Sequence, residues 1–171
     1  MAELSSKEKI KWLMTYARLR REARNMYERL AEMRNEAYIP AQKERVGSSG
    51  SSGASDRMAN AAIRYLDYEA RVAETLAGTL ADMEAIESAV NRLTDPLQRE
   101  VMRLRYIDGK DIRDDLHGAA ENIPSMLTRV GNLKWREVAV KMYGNDDEAE
   151  LQAVYRLHGR ALQNIRKDDH E

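Results

Sequence analysis

The residues best suited to chemistry lie near the C-terminal end of this 171-residue chain. Gln152, Tyr155 and Arg156 follow one another at helical spacing, beside an apolar stripe of Leu151, Val154, Leu157, Ala161, Leu162 and Ile165. Arg and Gln can each form paired hydrogen bonds to a purine edge, so this trio has the chemistry of a base reader. Arg160 on the same helix, with Lys134 and Arg136 at the start of the preceding one, suits phosphate oxygens. Arg156, Arg160, Arg166 and Lys167 make this last segment locally positive. That positivity is a segregation of charge, because Lys+Arg 28 against Asp+Glu 29 leaves the whole chain at −1. Asp146, Asp147, Glu148 and Glu150 cluster just ahead of the trio and would repel phosphate unless they point away.

Other chemistries find no support in the sequence. The chain has no cysteine, which excludes disulfides, thiolate zinc sites and a cysteine nucleophile. His117, His158 and His170 match no metal or triad spacing, and His158 is expected on the last helix, packing or facing phosphate. Asp108, Asp111, Asp114, Asp115 and His117 read as a solvated acidic loop rather than a magnesium cluster. P-loop, dinucleotide and nucleophile-elbow motifs are all missing, so neither an enzyme nor a cofactor is expected. Lys7, Lys9 and Lys11 precede Trp12-Leu13-Met14, but the apolar run ends at Tyr16 to Arg21. A signal peptide or membrane span is therefore not expected, and the chain reads as cytoplasmic.

The elements that must position these residues are helical. Hydrophobic residues make up 43% and charged residues 33%, with three prolines and no phenylalanine, a mix that predicts an all-α protein. Trp12, Tyr16, Leu19, Ala23, Met26, Leu30, Met33 and Ala37 alternate in steps of four and three, the signature of a long helix packed along its length. Ser5 or Ser6 should cap it, with Glu8 in capping-box spacing, and Pro40 should stop it. Gly47 to Ser55 reads as a flexible polar linker, natural or engineered. A second seam follows through Met58, Ala62, Tyr65, Glu69, Val72, Leu76, Thr79, Met83, Ile86, Val90 and Leu93, with Asp56 as a first cap. Helices of matched length joined by a linker most simply make a long antiparallel, coiled-coil-like hairpin; either could instead pair with its copy in a homodimer.

Asp95-Pro96-Leu97-Gln98 opens a third section as cap, first helical residue and capping-box partner, and Leu97, Val101, Leu104 and Ile107 line one face. A helix is predicted from Lys134 to Tyr143, stopped by Gly144, and the basic helix follows the acidic turn. Helix, glycine-containing turn, helix, turn and basic helix is the grammar of a helix-turn-helix protein. Residues 1–94 thus form the hairpin, with the linker at 40–55, and residues 95–171 the helix-turn-helix unit, with an insertion at 111–133.

Leu93-Thr94-Asp95-Pro96-Leu97-Gln98-Arg99-Glu100-Val101-Met102-Arg103-Leu104-Arg105-Tyr106 resembles the opening of region 4 of bacterial sigma factors. Trp135 to Ala139 and Val154 to Leu162 resemble its next two helices. The string Tyr155-Arg156-Leu157-His158-Gly159-Arg160-Ala161-Leu162 is closer to small phage and prophage regulators of the ArpU and RinA type, which also show a long first helix, a Ser-rich break and an Asp-x-Met opening like Asp56-Arg57-Met58. The resemblance implies a sequence-specific regulator that binds double-stranded DNA at the nucleoid of a bacterial host and contacts RNA polymerase. A complete sigma factor is not implied, because the aromatic-rich helices of its promoter-opening domain are missing. Two departures, the 111–133 insertion and the expanded Asp146 to Glu150 turn, leave a helical adaptor that binds polymerase or a host protein without DNA as the alternative.

Overall fold

The computed structural model describes residues 4–38, 52–111 and 123–166. The expected stop at Pro40, the linker up to Ser51, and Asp114, Asp115, His117, Lys167 and His170 lie outside them. The described chain is mostly helical: α1 (Ser6–Tyr38), α2 (Ser52–Asn91), α3 (Pro96–Met102), α4 (Trp135–Tyr143) and α5 (Glu148–Asn164). A π-turn (Arg103–Asp108) extends α3, and a 3-10 turn (Ser125–Thr128) precedes a two-residue antiparallel bridge between β1 (Lys110–Asp111) and β2 (Arg129–Val130).

The start of α1 is fixed by local chemistry. The Ser5 amide and hydroxyl donate to the Glu8 carboxylate at 2.8 and 2.7 Å, and the Glu8 amide returns a 3.4 Å bond to the Ser5 hydroxyl. The linker is shorter than its composition suggests, because α2 begins at Ser52 and Asp56 lies inside the helix rather than capping it. The helix starts there despite the weak helix propensity of Gly and Ser.

α1 and α2 pack along each other in opposite directions. The Tyr16 hydroxyl donates to Glu87 near one end, while Tyr27, Leu30 and Arg34 share a groove with Tyr65 and Glu69 near the other. Leu13, Tyr16, Leu19 and Ala23 interlock with Met83, Ile86, Ala89 and Val90 in one buried cluster. The two polar seam residues do not bond across the helices: the Thr79 hydroxyl donates to the Thr75 carbonyl, and Glu69 accepts from Tyr65 on its own helix.

Asp95 caps α3 as expected, its carboxylate accepting from the Leu97 and Gln98 amides at 2.9 and 3.4 Å, with Pro96 in the first turn. Gln98 departs from the capping box. Its side-chain amide donates to the Asp95 carboxylate and its oxygen accepts from Asn164, so the residue ties α3 to the end of α5.

Two cations of α1 join it to the smaller unit. Lys9 Nζ donates to the Leu162 carbonyl at 3.0 Å. Arg20, 1% exposed, donates to the carbonyls of Ile107 and Gly131. Gly109 makes room for it with φ at 55°; a Cβ there would lie 2.5 Å from the Arg20 guanidinium and 2.7 Å from the Val130 carbonyl oxygen. No described helix is long and apolar enough to cross a membrane.

Candidate nucleic-acid interface

α4 and α5 meet across a small apolar cluster of Val101, Leu133, Val138, Ala139, Leu151 and Val154. Gly144, at φ 86°, supplies the left-handed residue that ends α4 and turns the chain toward α5. At the other end of α4, the Lys134 amide donates to Glu137 at 2.6 Å, which satisfies one of the first-turn amides. That bond, ahead of the Lys110 ammonium at 3.2 Å, holds the Glu137 carboxyl below its usual range.

Burial divides α5 into two faces. Leu151, Val154, His158, Ala161 and Leu162 point into the protein. Gln152, Tyr155, Arg156, Gly159, Arg160 and Gln163 are all exposed, at helical intervals of three and one, and form one continuous outer stripe. The sequence-predicted readers Gln152, Tyr155 and Arg156 therefore share a face with the predicted phosphate contact Arg160. Arg156 and Arg160 have no ion-pair or hydrogen-bond partner among the described residues. Gln152 donates to Glu148 one turn back at 2.8 Å, which leaves its amide oxygen open.

The other two predicted phosphate contacts differ from each other. Lys134 is exposed beside the start of α4. Arg136 is held at 3.0 Å by Asp146, so that part of its charge is neutralised within the chain. The same pair answers part of the expected repulsion from the acidic turn: Asp146 points to Arg136, whereas Glu148 stands beside Gln152 at the start of the stripe, Asp147 is exposed and Glu150 is half-buried. None of them reaches Arg156 or Arg160.

His158 is a packing residue and does not face outward. It is 9% exposed, lies 2.9 Å through Nε2 from the Tyr106 hydroxyl, and meets the Trp135 ring edge-on at 4.7 Å between centroids. Burial, with the Arg105 guanidinium adding to it, pushes its pKa down from 6.5 to about 4. Trp135 also meets Tyr155 edge-on at 5.4 Å, and Arg105 lies over the Trp135 ring at 4.7 Å while donating to the Leu133 carbonyl. This aromatic stack fixes Tyr155 at the edge of the outer stripe and brings the Lys134 to Arg136 end of α4 beside it. The sequence reading missed Arg105 and Trp135, because their partners are distant in the chain and carry no spacing signal.

Gly159 also went unread as a site residue. It stands in the middle of the outer stripe, where a Cβ would meet no atom within 4 Å. A glycine inside a helix destabilises it by about 1 kcal/mol relative to alanine, and no internal contact requires one here. Among the described residues no group of three or more acidic, histidine or cysteine side chains could hold a metal ion. No known protein family, curated protein or solved structure matches this chain.

Proposed function

We propose that the protein is a sequence-specific DNA-binding regulator, built as a helical hairpin that carries a helix-turn-helix unit like sigma region 4. The observation that supports this most is the outer stripe of α5. Two arginines without a partner among the described residues, a glutamine and a tyrosine share one exposed face, and of the acidic residues just ahead of it Asp146 is held by Arg136. Gln152, Tyr155 and Arg156 would reach base edges in the major groove, while Arg160 and Lys134 contact phosphate. Gly159 supports the same reading, since a missing side chain between Arg156 and Arg160 lets a nucleic-acid backbone approach the helix closely.

Fluorescence anisotropy against fragments of the encoding genome, at 50 and 200 mM salt, tests it. Retention of one fragment with a steep loss of affinity at the higher salt is expected. Arg156→Ala should weaken that complex by about 1–3 kcal/mol and relax its sequence preference, whereas Arg160→Ala should weaken all sequences alike. Absence of any retained fragment at low salt would sink the proposal.

The Arg136–Asp146 pair favours the second reading, a helical adaptor that engages RNA polymerase or a host protein without DNA. Capture of polymerase by a chain that retains no fragment would select it.

A further inference from the structure

The seam of α2 that α1 covers is not its only one. One position further along the chain, Ala59, Ile63, Leu66, Ala70, Ala73, Ala77 and Leu80 repeat the four-three alternation without a polar interruption. Six of the seven are exposed and Leu80 is half-buried against the core shared with α1; Ile63 and Leu66, at 56% and 58%, are the most exposed large apolar side chains among the described residues. An apolar row of this length on a described surface marks an interaction site.

Its chemistry selects the occupant. Turned end for end about Ala70, the row is its own complement. Ile63 then faces Ala77 and Ala70 faces itself, while Leu66 and Ala73, and Ala59 and Leu80, stand opposite each other to within one residue, about 1.5 Å of rise. Every bulky residue meets a small one, which lets two helices close without voids or overlap. The same reversal brings Arg64 and Glu74, and Asp67 and Arg71, within two residues of facing each other, about 3 Å along the helix and within reach of the arginine side chains. All four are exposed, and within their own chain both arginines bond only to backbone carbonyls, of Asn60 and Asp67, among the described residues. In a parallel pair each residue would instead meet its like, stacking Ile63 and Leu66 on themselves and leaving thin alanine layers at Ala59, Ala70, Ala73 and Ala77.

We propose that this face binds a second copy of the chain, antiparallel, with the two-fold axis at Ala70. The pair extends the α1–α2 arrangement into four helices, each α2 covered by α1 on one seam and by its copy on the other.

Sedimentation velocity on the full chain tests the assembly. A species of twice the 19.6 kDa chain mass is expected at micromolar concentration. Ile63→Glu with Leu66→Glu should raise the dissociation constant about 100-fold or more, since buried anchors dominate such interfaces, while helical circular dichroism stays unchanged. Orientation is read by cysteine, which the chain lacks. Ala70→Cys should oxidise to a covalent dimer, because residues on the axis approach within disulfide reach, and Ala59→Cys should not. A wild-type chain that stays monomeric at all concentrations would overturn the proposal, as would a double variant that stays dimeric. Equal crosslinking through Ala59→Cys would do the same. None of these readings depends on DNA, so they stand apart from the proposed function.

Discussion

The two ends of α2 carry the same repeat and meet different surroundings. From Thr79 to Leu93 the seam is buried: Met83, Ile86 and Val90 are fully buried in one core with residues of α1, the π-turn and the 3-10 turn. From Met58 to Glu69 the same seam leaves Met58 42% exposed, Ala62 and Tyr65 half-buried and Glu69 exposed. Periodicity specifies which face of a helix can be buried; the number of neighbouring elements decides whether it is. Near the base α3, the π-turn, the 3-10 turn and α5 share one core with α1 and α2, and farther out, among the described residues, only α1 accompanies α2.

Substitutions along the molecule should separate these regimes. Met83→Ala should cost about 2–5 kcal/mol in urea unfolding, because the enclosed site cannot collapse around the lost atoms. A value below 1 kcal/mol would mean the base is loosely packed. Arg20→Ala should cost about 2–4 kcal/mol, since it leaves the Ile107 and Gly131 carbonyls without their buried donor. Unfolding of the long helices and of the α3–α5 unit should then separate into two transitions.

His158 gives a pH signature confined to the smaller unit. Its folded pKa lies near 4, below the 6.5 of an unfolded histidine. Between those values the unfolded chain takes up the proton and the folded chain does not, so stability falls as pH drops. The slope is at most about 1.4 kcal/mol per pH unit; this contribution is constant above 6.5 and loses nothing further below 4. His158→Gln should remove that component, so wild type and variant should differ in slope only inside the window. Equal slopes would mean the ring is solvated in the folded state.

Gly159→Ala should raise stability by about 0.5–1 kcal/mol, because the site is open and helical. A loss of DNA affinity alongside that gain would tie the glycine to the interface, and unchanged affinity would detach it. Smallest of all, Met58→Ala should fall within about 0.5 kcal/mol of wild type. A larger loss would erase the contrast between the ends of α2.

Much of this was legible in the sequence. The Ser5–Glu8 box, the Asp95–Pro96 start and the Gly144 stop are local hydrogen-bond and dihedral chemistry, and each sits where its residues demand. Both covered seams were readable because the four-three step is a property of one helix alone. The start of α2 at Ser52 was not, since the Gly and Ser composition there disfavours helix. His158 illustrates the limit for the site. Its partners Tyr106 and Trp135 lie more than twenty residues away in the chain, so the sequence could place it on α5 but not on which side of the contact with α4. The exposed stripe itself followed from helical spacing, whereas the freedom of Arg156 and Arg160 depended on where Asp146 and Glu148 found partners.

The length of α2 has a consequence for any DNA site. In a pair formed about Ala70, the helix continues about 21 residues to Asn91, or about 32 Å at 1.5 Å per residue. The two bases of the assembly would stand roughly 63 Å apart, and α2 would act as a ruler between them. That separation is nearer two turns of duplex than the 34–36 Å of adjacent half-sites. An operator measured by this ruler would be an inverted repeat with centres about 20 base pairs apart.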